Sequence, residues 1–315
     1  MDYKSLRIVF MGTPEFAVAS LDALVNAGCN IVGVVTAPDK PAGRGMKLNE
    51  SAVKKYAIEK KLHLLQPEKL KSDFFLNELE TLNADVQIVV AFRMLPEVVW
   101  SMPPMGTINL HGSLLPQYRG AAPINWAVIN GEKQTGVTTF KLQHAIDTGN
   151  ILLQKSFEIG ENETAGEVHD KMKIIGAEVL VNTLKGLAAN SLKEVSQNEL
   201  NIQNPKFKAL HHAPKIFTET CKINWDNSVD EIHNLIRGLS PFPTAFTFLN
   251  EKMLKVYKSK KEISSHNFEI GKIFTDNKTY LKLSCSNGFI YLLEIQLEGK
   301  KKMLIEDFLR GYKMP

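Results

Sequence analysis

The sequence predicts a two-domain α/β protein, a doubly wound parallel sheet followed by a smaller antiparallel β-barrel, on three observations. First, short apolar runs alternate with helical patterns from the start of the chain: Leu6-Arg7-Ile8-Val9-Phe10-Met11, a helical segment from Pro14 to Gly28, then Ile31-Val32-Gly33-Val34-Val35-Thr36. That rhythm belongs to parallel strands joined by helical crossovers. Second, the last third of the chain gives short β-branched and aromatic runs separated by basic turns, which suits a small barrel of OB type. Third, 315 residues exceed what one hydrophobic core usually holds.

Taken in order, the first strand ends at Gly12-Thr13-Pro14-Glu15. With no G-x-G-x-x-G and no P-loop lysine, dinucleotide binding is disfavoured despite the Rossmann-like start. Pro38-Asp39-Lys40-Pro41-Ala42-Gly43-Arg44-Gly45-Met46-Lys47 is a Pro/Gly-punctuated cationic loop, suited to phosphate or groove contact. Helical spacing returns over 51–61 and 73–82, with strands at 63–65 and 85–92. Gly106–Tyr118 holds a further strand, a helix opens at Pro123, two strands cover 135–142 and 151–157, and a long helix fills 165–187. The polar, asparagine-rich stretch 190–207 reads as a linker, which sets the domains at 1–189 and 208–315. Beyond it, Cys221–Trp225 is strand-like, Ser228–Leu239 is a capped helix, and strands recur near 241–248, 253–257, 281–285 and 289–297.

Charge is unevenly placed. Residues 208–315 hold 17 Lys+Arg against 12 Asp+Glu, net +5, whereas the preceding residues hold 21 against 22, net −1. A basic C-terminal domain suits salt-sensitive attraction to a polyanion. The three cysteines, Cys29, Cys221 and Cys285, lie far apart and argue against a disulfide framework or thiolate metal site. No secretory h-region and no membrane-length apolar run is evident, so a cytoplasmic protein without membrane partners is expected.

The chemistry concentrates between Asn109 and Asp147. Asn109 and His111 stand two apart in Thr107-Ile108-Asn109-Leu110-His111, so period-two alternation puts both side chains on one strand face. Asp147 lies in a separate turn, His144-Ala145-Ile146-Asp147-Thr148-Gly149. An amide, an imidazole and a carboxylate converging from two elements would supply an oxyanion donor, a proton carrier and its orienter. His144 and Asp147 have no third ligand at metal-site spacing, and no metal is expected.

The ordered pattern Asn109-x-His111-x-Ser113-Leu114-Leu115-Pro116-x-Tyr118-Arg119-Gly120-Ala121-Ala122-Pro123, followed by Asp147-Thr148-Gly149, resembles the methionyl-tRNA formyltransferase family over nearly the whole chain. The resemblance implies the formyltransferase fold and transfer of a formyl group from 10-formyltetrahydrofolate to methionyl-initiator tRNA. It further implies a catalytic role for Asn109, His111 and Asp147, with folate contacts from the Ser113, Leu114, Leu115 and Pro116 segment. Phe92 and Leu95 would wall the pterin pocket, with ordinary core packing as the competing reading. Lys40, Arg44 and Lys47 would contact tRNA, with Arg44 carrying the main contact, and the enzyme is expected to act as a monomer. One departure stands out: Ala91-Phe92-Arg93-Met94-Leu95-Pro96 is one residue shorter than the stretch found in many relatives and has Arg93 in place of a glycine. Two alternatives remain at this stage, a folate-dependent formyltransferase with a small amine acceptor and a non-catalytic tRNA-binding protein.

Overall fold

Strand β1 (Arg7–Gly12) is buried at every position after Arg7, because the run of Ile8, Val9, Phe10 and Met11 gives both faces apolar side chains. In the computed structural model, which describes residues 2–42, 47–203 and 210–312, β1 is an interior strand of a seven-stranded sheet. It is followed by α1 (Glu15–Asn26), β2 (Asn30–Val35), a short antiparallel hairpin of β3 (Lys40–Ala42) and β4 (Lys47–Asn49), α2 (Ala52–Glu59) and β5 (Leu64–Leu65). Next come α3 (Asp73–Thr81), β6 (Val86–Val90), α4 (Glu97–Trp100), β7 (Thr107–His111), β8 (Arg119–Gly120), α5 (Pro123–Ile129), β9 (Gln134–Lys141), β10 (Ile151–Glu158), α6 (Ala165–Ala188) and α7 (Gln197–Gln203).

The sheet order is β10-β9-β7-β6-β1-β2-β5. From β5 to β7 every pairing is parallel, and β9 joins β7 antiparallel. The sheet is therefore doubly wound and parallel through five strands, then mixed at one side. The strand order reverses at β1, with β2 on one side and β6 on the other, so the chain segments leaving these strands diverge and open a crevice at their C-terminal ends. Gly12, the last residue of β1, sits in that crowded place: a Cβ there would lie 2.6 Å from Ala17 Cβ of α1. One face of the sheet is covered by α3 and α4, where Phe75, Leu79 and Val99 pack with Val9, Met11, Val35 and Val89.

The described chain divides into two compact units, one of residues 1–119, 136–156 and 171–211, the other of residues 120–135, 157–170 and 212–315. The stretch 190–207, expected to run as a linker, instead carries α7. Val195 bridges Ile151, and Leu200 packs against Leu115, Phe140 and Ile151.

The second unit contains β11 (His212–Ala213), α8 (Val229–Gly238), β12 (Ala245–Leu249), β13 (Lys252–Ile263), β14 (Ile273–Thr275), β15 (Leu281–Cys285), β16 (Gly288–Leu297), β17 (Met303–Leu304) and α9 (Ile305–Gly311). Strands β12 to β17 form one six-stranded sheet whose pairings are all antiparallel. Helix α8 starts with a capping box, Ser228 and Glu231 satisfying each other's backbone N–H. Its apolar face, Val229, Ile232 and Ile236, joins the sheet's inward residues in one core. The expected strand at Cys221–Trp225 reduces to a single bridge between Lys222 and Phe246, since Cys221 closes a 3-10 turn from Thr218.

Candidate active site

The site grows from β7. Leu110 points toward α6, where Gly176 leaves room for it: a Cβ on that glycine would lie 2.9 Å from Leu110 Cδ2. Alternation then sends Asn109 and His111 to the opposite face, as the sequence predicts. They share that face with Phe140 and Thr138, their register partners on β9. The His111 ring meets Phe140 edge-on, with centroids 6.4 Å apart, and the residue is buried at 7% exposure.

Both imidazole nitrogens face oxygen. Nε2 is 2.9 Å from the Tyr118 carbonyl, which can only accept, so Nε2 carries a proton. Nδ1 lies 3.8 Å from Asp147 Oδ2, a separation that a shared proton or substrate binding would tighten. Asn109 is half-buried. The structure thus brings His111 and Asp147 together and keeps Asn109 on the same strand face.

The Asp147 turn is built tightly. Asp147 adopts φ 54°, a left-handed conformation that aspartate tolerates better than most residues. Thr148 Oγ1 donates to Ala145 O at 2.9 Å and accepts from Gln143 Nε2 at 2.9 Å. At Gly149 a Cβ would sit 1.7 Å from the Lys141 carbonyl, so only glycine fits. Gln197, 2% exposed, donates from Nε2 to Asp147 O at 2.9 Å and to Gly149 O at 2.8 Å. Its Oε1 accepts from Arg119 Nε at 3.0 Å and Nη2 at 2.6 Å. Burial pulls the Arg119 pKa down while the negative charge of Asp147 pushes it back up.

The segment after His111 is equally well fixed. Thr138 Oγ1 donates to Ser113 O at 2.6 Å and accepts from Leu115 N at 3.1 Å and Gln154 Nε2 at 2.8 Å. Gln154 Nε2 also donates to Leu115 O at 2.8 Å, and Ser113 Oγ donates to Gln117 O at 2.6 Å. Leu114 packs against Gly136, where a Cβ would lie 2.5 Å from Leu114 Cδ2. Ser113, Leu114, Leu115 and Pro116 thus form a rigid ledge beside His111.

Two clefts open at the C-terminal ends of the parallel strands. One, about 700 Å³, is lined by Thr13 and Pro14 after β1, Ala37 to Lys40 after β2, and Ala91 and Arg93 after β6. The other, about 540 Å³, is lined by Leu70, Met94, Leu95 and Pro96 with Lys71, Arg93, Glu97 and His144 at its polar edge. Both volumes lie in the range of small-molecule sites. Leu95 lines the second cleft, whereas Phe92 packs partly buried against the core cluster that includes Leu95. Arg93 is shared by both clefts: Nη1 donates to Glu68 O at 2.9 Å, Nη2 donates to Pro67 O, and the guanidinium lies 5.6 Å from the Phe92 ring centroid. The residue at the sequence's one departure is therefore tied down across the mouth of the crevice.

The cationic loop rises from a paired base. Lys40 is exposed on the β3–β4 hairpin. The hairpin's base is held by Asp39, which accepts from Lys54 Nζ and from Gln66 Nε2 at 3.0 Å; the Lys54 bond holds the Asp39 carboxyl below its usual pKa. Arg44 lies outside the described residues, and for Lys47 only its place in β4 is described. Among the described residues no group of three or more His, Cys, Asp or Glu could hold a metal ion.

The sequence singles out none of Thr138, Gln154 and Gln197, and Tyr118 only as a member of the motif. Thr138 and Gln154 stand among other polar residues of their strands, Thr135 and Thr139 near the one and Lys155 and Ser156 beside the other, so nothing local marks them. The Tyr118 contribution is a backbone carbonyl and leaves no mark in the sequence.

Comparison with known proteins places the chain in a family. A family model described as formyl transferase matches residues 6–184, and one described as formyl transferase, C-terminal domain, matches residues 215–313. The chain is 48% identical over its whole length to the methionyl-tRNA formyltransferase of Bacteroides thetaiotaomicron, covering 98% of that protein. It is 53% identical over 99% of its length to that of Phocaeicola vulgatus, again covering 98% of the relative. Among solved structures, a sugar 3N-formyl transferase crystallised with dTDP and 5-N-formyl-THF superposes with TM-score 0.67 at 22% identity, covering 94% of this chain and 99% of that one. HypX from Aquifex aeolicus in complex with tetrahydrofolic acid gives 0.65 at 15% identity over 98% of this chain and 48% of that one.

Proposed function

The chain belongs to the formyl transferase family, alongside the methionyl-tRNA formyltransferases, and from that premise we propose that it moves the formyl group of 10-formyltetrahydrofolate to the amino group of methionyl-initiator tRNA. The product, N-formylmethionyl-tRNA, serves translation initiation. The observation that carries the reading is the His111 imidazole held between the Tyr118 carbonyl and the Asp147 carboxylate, on the strand beside β6, whose following residues Ala91 and Arg93 line the clefts.

When bound, the formyl folate supplies an electrophilic formyl carbon, whose bond to the folate nitrogen breaks as the new amide forms. The residues fit that group: an apolar cleft wall of Leu70, Leu95 and Pro96 suits a flat heterocycle, and the cations Lys71 and Arg93 outnumber the one carboxylate, Glu97, at the rim, which suits an anionic tail. The Ser113–Pro116 ledge would present the donor's edge to His111. A free α-amino group has a pKa of about 7.7–8.0, and an aminoacyl-ester amine is less basic, so a neutral nucleophile exists near pH 7 without a strong base. The Asn109 amide would donate to the oxyanion that forms on the formyl oxygen. His111, charged when Nδ1 is protonated, would add a cation beside that oxygen. Asp147 would hold the imidazole through Nδ1 and accept the amine's proton, directly or through water, for delivery to the leaving nitrogen.

Lys40 and Lys47 on the hairpin and Arg44 between them would contact the tRNA backbone, with the +5 C-terminal part of the chain adding attraction. In this reading the second unit's antiparallel sheet is an OB-like tRNA platform, the protein works as a monomer, and its place is the cytoplasm. Among the described residues no helix is long and apolar enough to cross a membrane. A formyl-transfer assay with methionyl-initiator tRNA, methionyl-elongator tRNA and glycinamide ribonucleotide as rival acceptors tests the proposal. Preference for the initiator is the expected result. Transfer to the small amine alone would overturn the tRNA assignment.

A further inference from the structure

The two oxygens that flank His111 are not independent. Tyr118, whose carbonyl takes the Nε2 proton, is followed directly by Arg119. Arg119 reaches Gln197 through two donors, and Gln197 reaches the carbonyls of Asp147 and Gly149 through its amide nitrogen. Asp147 then faces Nδ1 of the same imidazole. The path from one ring nitrogen, through the protein, back to the other is closed.

Gln197 is the one residue in that ring supplied by α7, and its amide can sit only one way round. The guanidinium has no acceptor, so it must meet the oxygen, and the two carbonyls have no donor, so they must meet the nitrogen. All four bonds are made at 2% exposure, where water cannot replace them. Helix α7 is itself anchored through Leu200 on Leu115, Phe140 and Ile151, next to the ledge that adjoins the imidazole.

Resting on the reading of His111 and Asp147 as the catalytic pair, we propose that Gln197, with Arg119, is a positioning residue for the reaction, setting where the Asp147 carboxylate stands relative to His111 Nδ1. It touches no substrate. Its effect passes through the turn at 147–149, whose carboxylate it places by gripping the backbone at both ends.

The test is a double-mutant cycle. Gln197→Glu keeps the size of the side chain and can still accept from Arg119, but it cannot donate to the two carbonyls. It is expected to lower kcat by about 10- to 100-fold, the loss that a displacement near 1 Å brings, with KM for tRNA and for the formyl donor nearly unchanged. Combined with Asp147→Asn, it should add little further loss, because the group it positions is already disabled. A merely structural Gln197 would instead multiply the two losses and lower the melting temperature in step with kcat. Either additive losses or an unchanged kcat in Gln197→Glu would overturn the inference. Gln197→Asn serves as the second variant where Gln197→Glu does not fold. Asp147→Asn and His111→Ala alone separate the two levels: normal turnover in those variants would remove the catalytic pair itself, whereas loss there with normal turnover in Gln197→Glu would remove only the role given to Gln197.

Discussion

Replacing Thr138 by valine removes one hydroxyl and leaves the volume almost unchanged, yet the hydroxyl holds the ledge beside His111. It serves three groups: Ser113 O, Leu115 N and Gln154 Nε2. Gln154 keeps its second bond to Leu115 O, so two groups lose their partner, the Ser113 carbonyl and the Leu115 N–H. Thr138, Ser113 and Leu115 are all fully buried, so water cannot step in without opening the ledge. At about 1–3 kcal/mol for each orphaned buried group, the cost is about 4 kcal/mol. For a unit of this size that corresponds to a fall in Tm of about 10 °C. Thr138→Ser keeps the hydroxyl and should lose far less, through a missing methyl alone. Calorimetry on the three proteins gives the stability, and KM for the formyl donor, expected to rise in Thr138→Val, reports the ledge. A Thr138→Val Tm within about 2 °C of the parent, or a Thr138→Ser variant damaged as badly, would refute the account of how the ledge is held.

Other outcomes follow from the same geometry. Gly149→Ala pushes a methyl against the Lys141 carbonyl and should displace Asp147, with kcat falling about 100-fold and a lower Tm on thermal unfolding. His233 is buried beside Arg237 and Lys261, and burial first, then those cations, pull its pKa down to about 4. The unfolded chain therefore binds this proton more readily than the folded one, and the stability is complete above the unfolded value of about 6.5 and lost as pH falls from there toward 4. That loss, at most about 3 kcal/mol, should be reduced in His233→Gln when urea unfolding is compared at pH 7 and pH 4.5. Lys40→Ala should weaken methionyl-tRNA binding and lower the slope of log affinity against log salt by about one, with donor KM unchanged; an unchanged slope would remove Lys40 from the interface.

The sheet was readable because its strands are buried on both faces. Ile8–Met11 within β1 announces itself as an unbroken apolar run, Val86–Val90, entirely buried, as one interrupted only by Gln87, and Ala165–Ala188 through helical periodicity. Alternation within Thr107–His111 also puts Asn109 and His111 on one face from sequence alone. Helix α7 was not readable: Gln197–Gln203 holds only two apolar residues, and its position depends on Leu200 meeting residues far back in the chain. Strand β14, Ile273–Thr275, is too short to carry a period. The cationic character of the Pro38–Leu48 loop is legible in its composition, whereas the pairing of β3 with β4 and the Asp39 anchor that give it a fixed base are not, because proline and glycine hide any strand period. Within the site, the motif pointed to side chains that do chemistry. The bonds that hold them, from Tyr118 O and from Gln197, involve a backbone atom and a residue in polar surroundings, and neither has a local pattern.

The most direct test of the central claim is the single-turnover rate of formyl transfer by Asn109→Ala, measured with formyl donor and methionyl-initiator tRNA both saturating. If Asn109 stabilises the oxyanion, the chemical step slows by about 10²–10³-fold while both substrates still bind. A rate within a few-fold of the parent enzyme would contradict the assignment and require another donor for the developing charge.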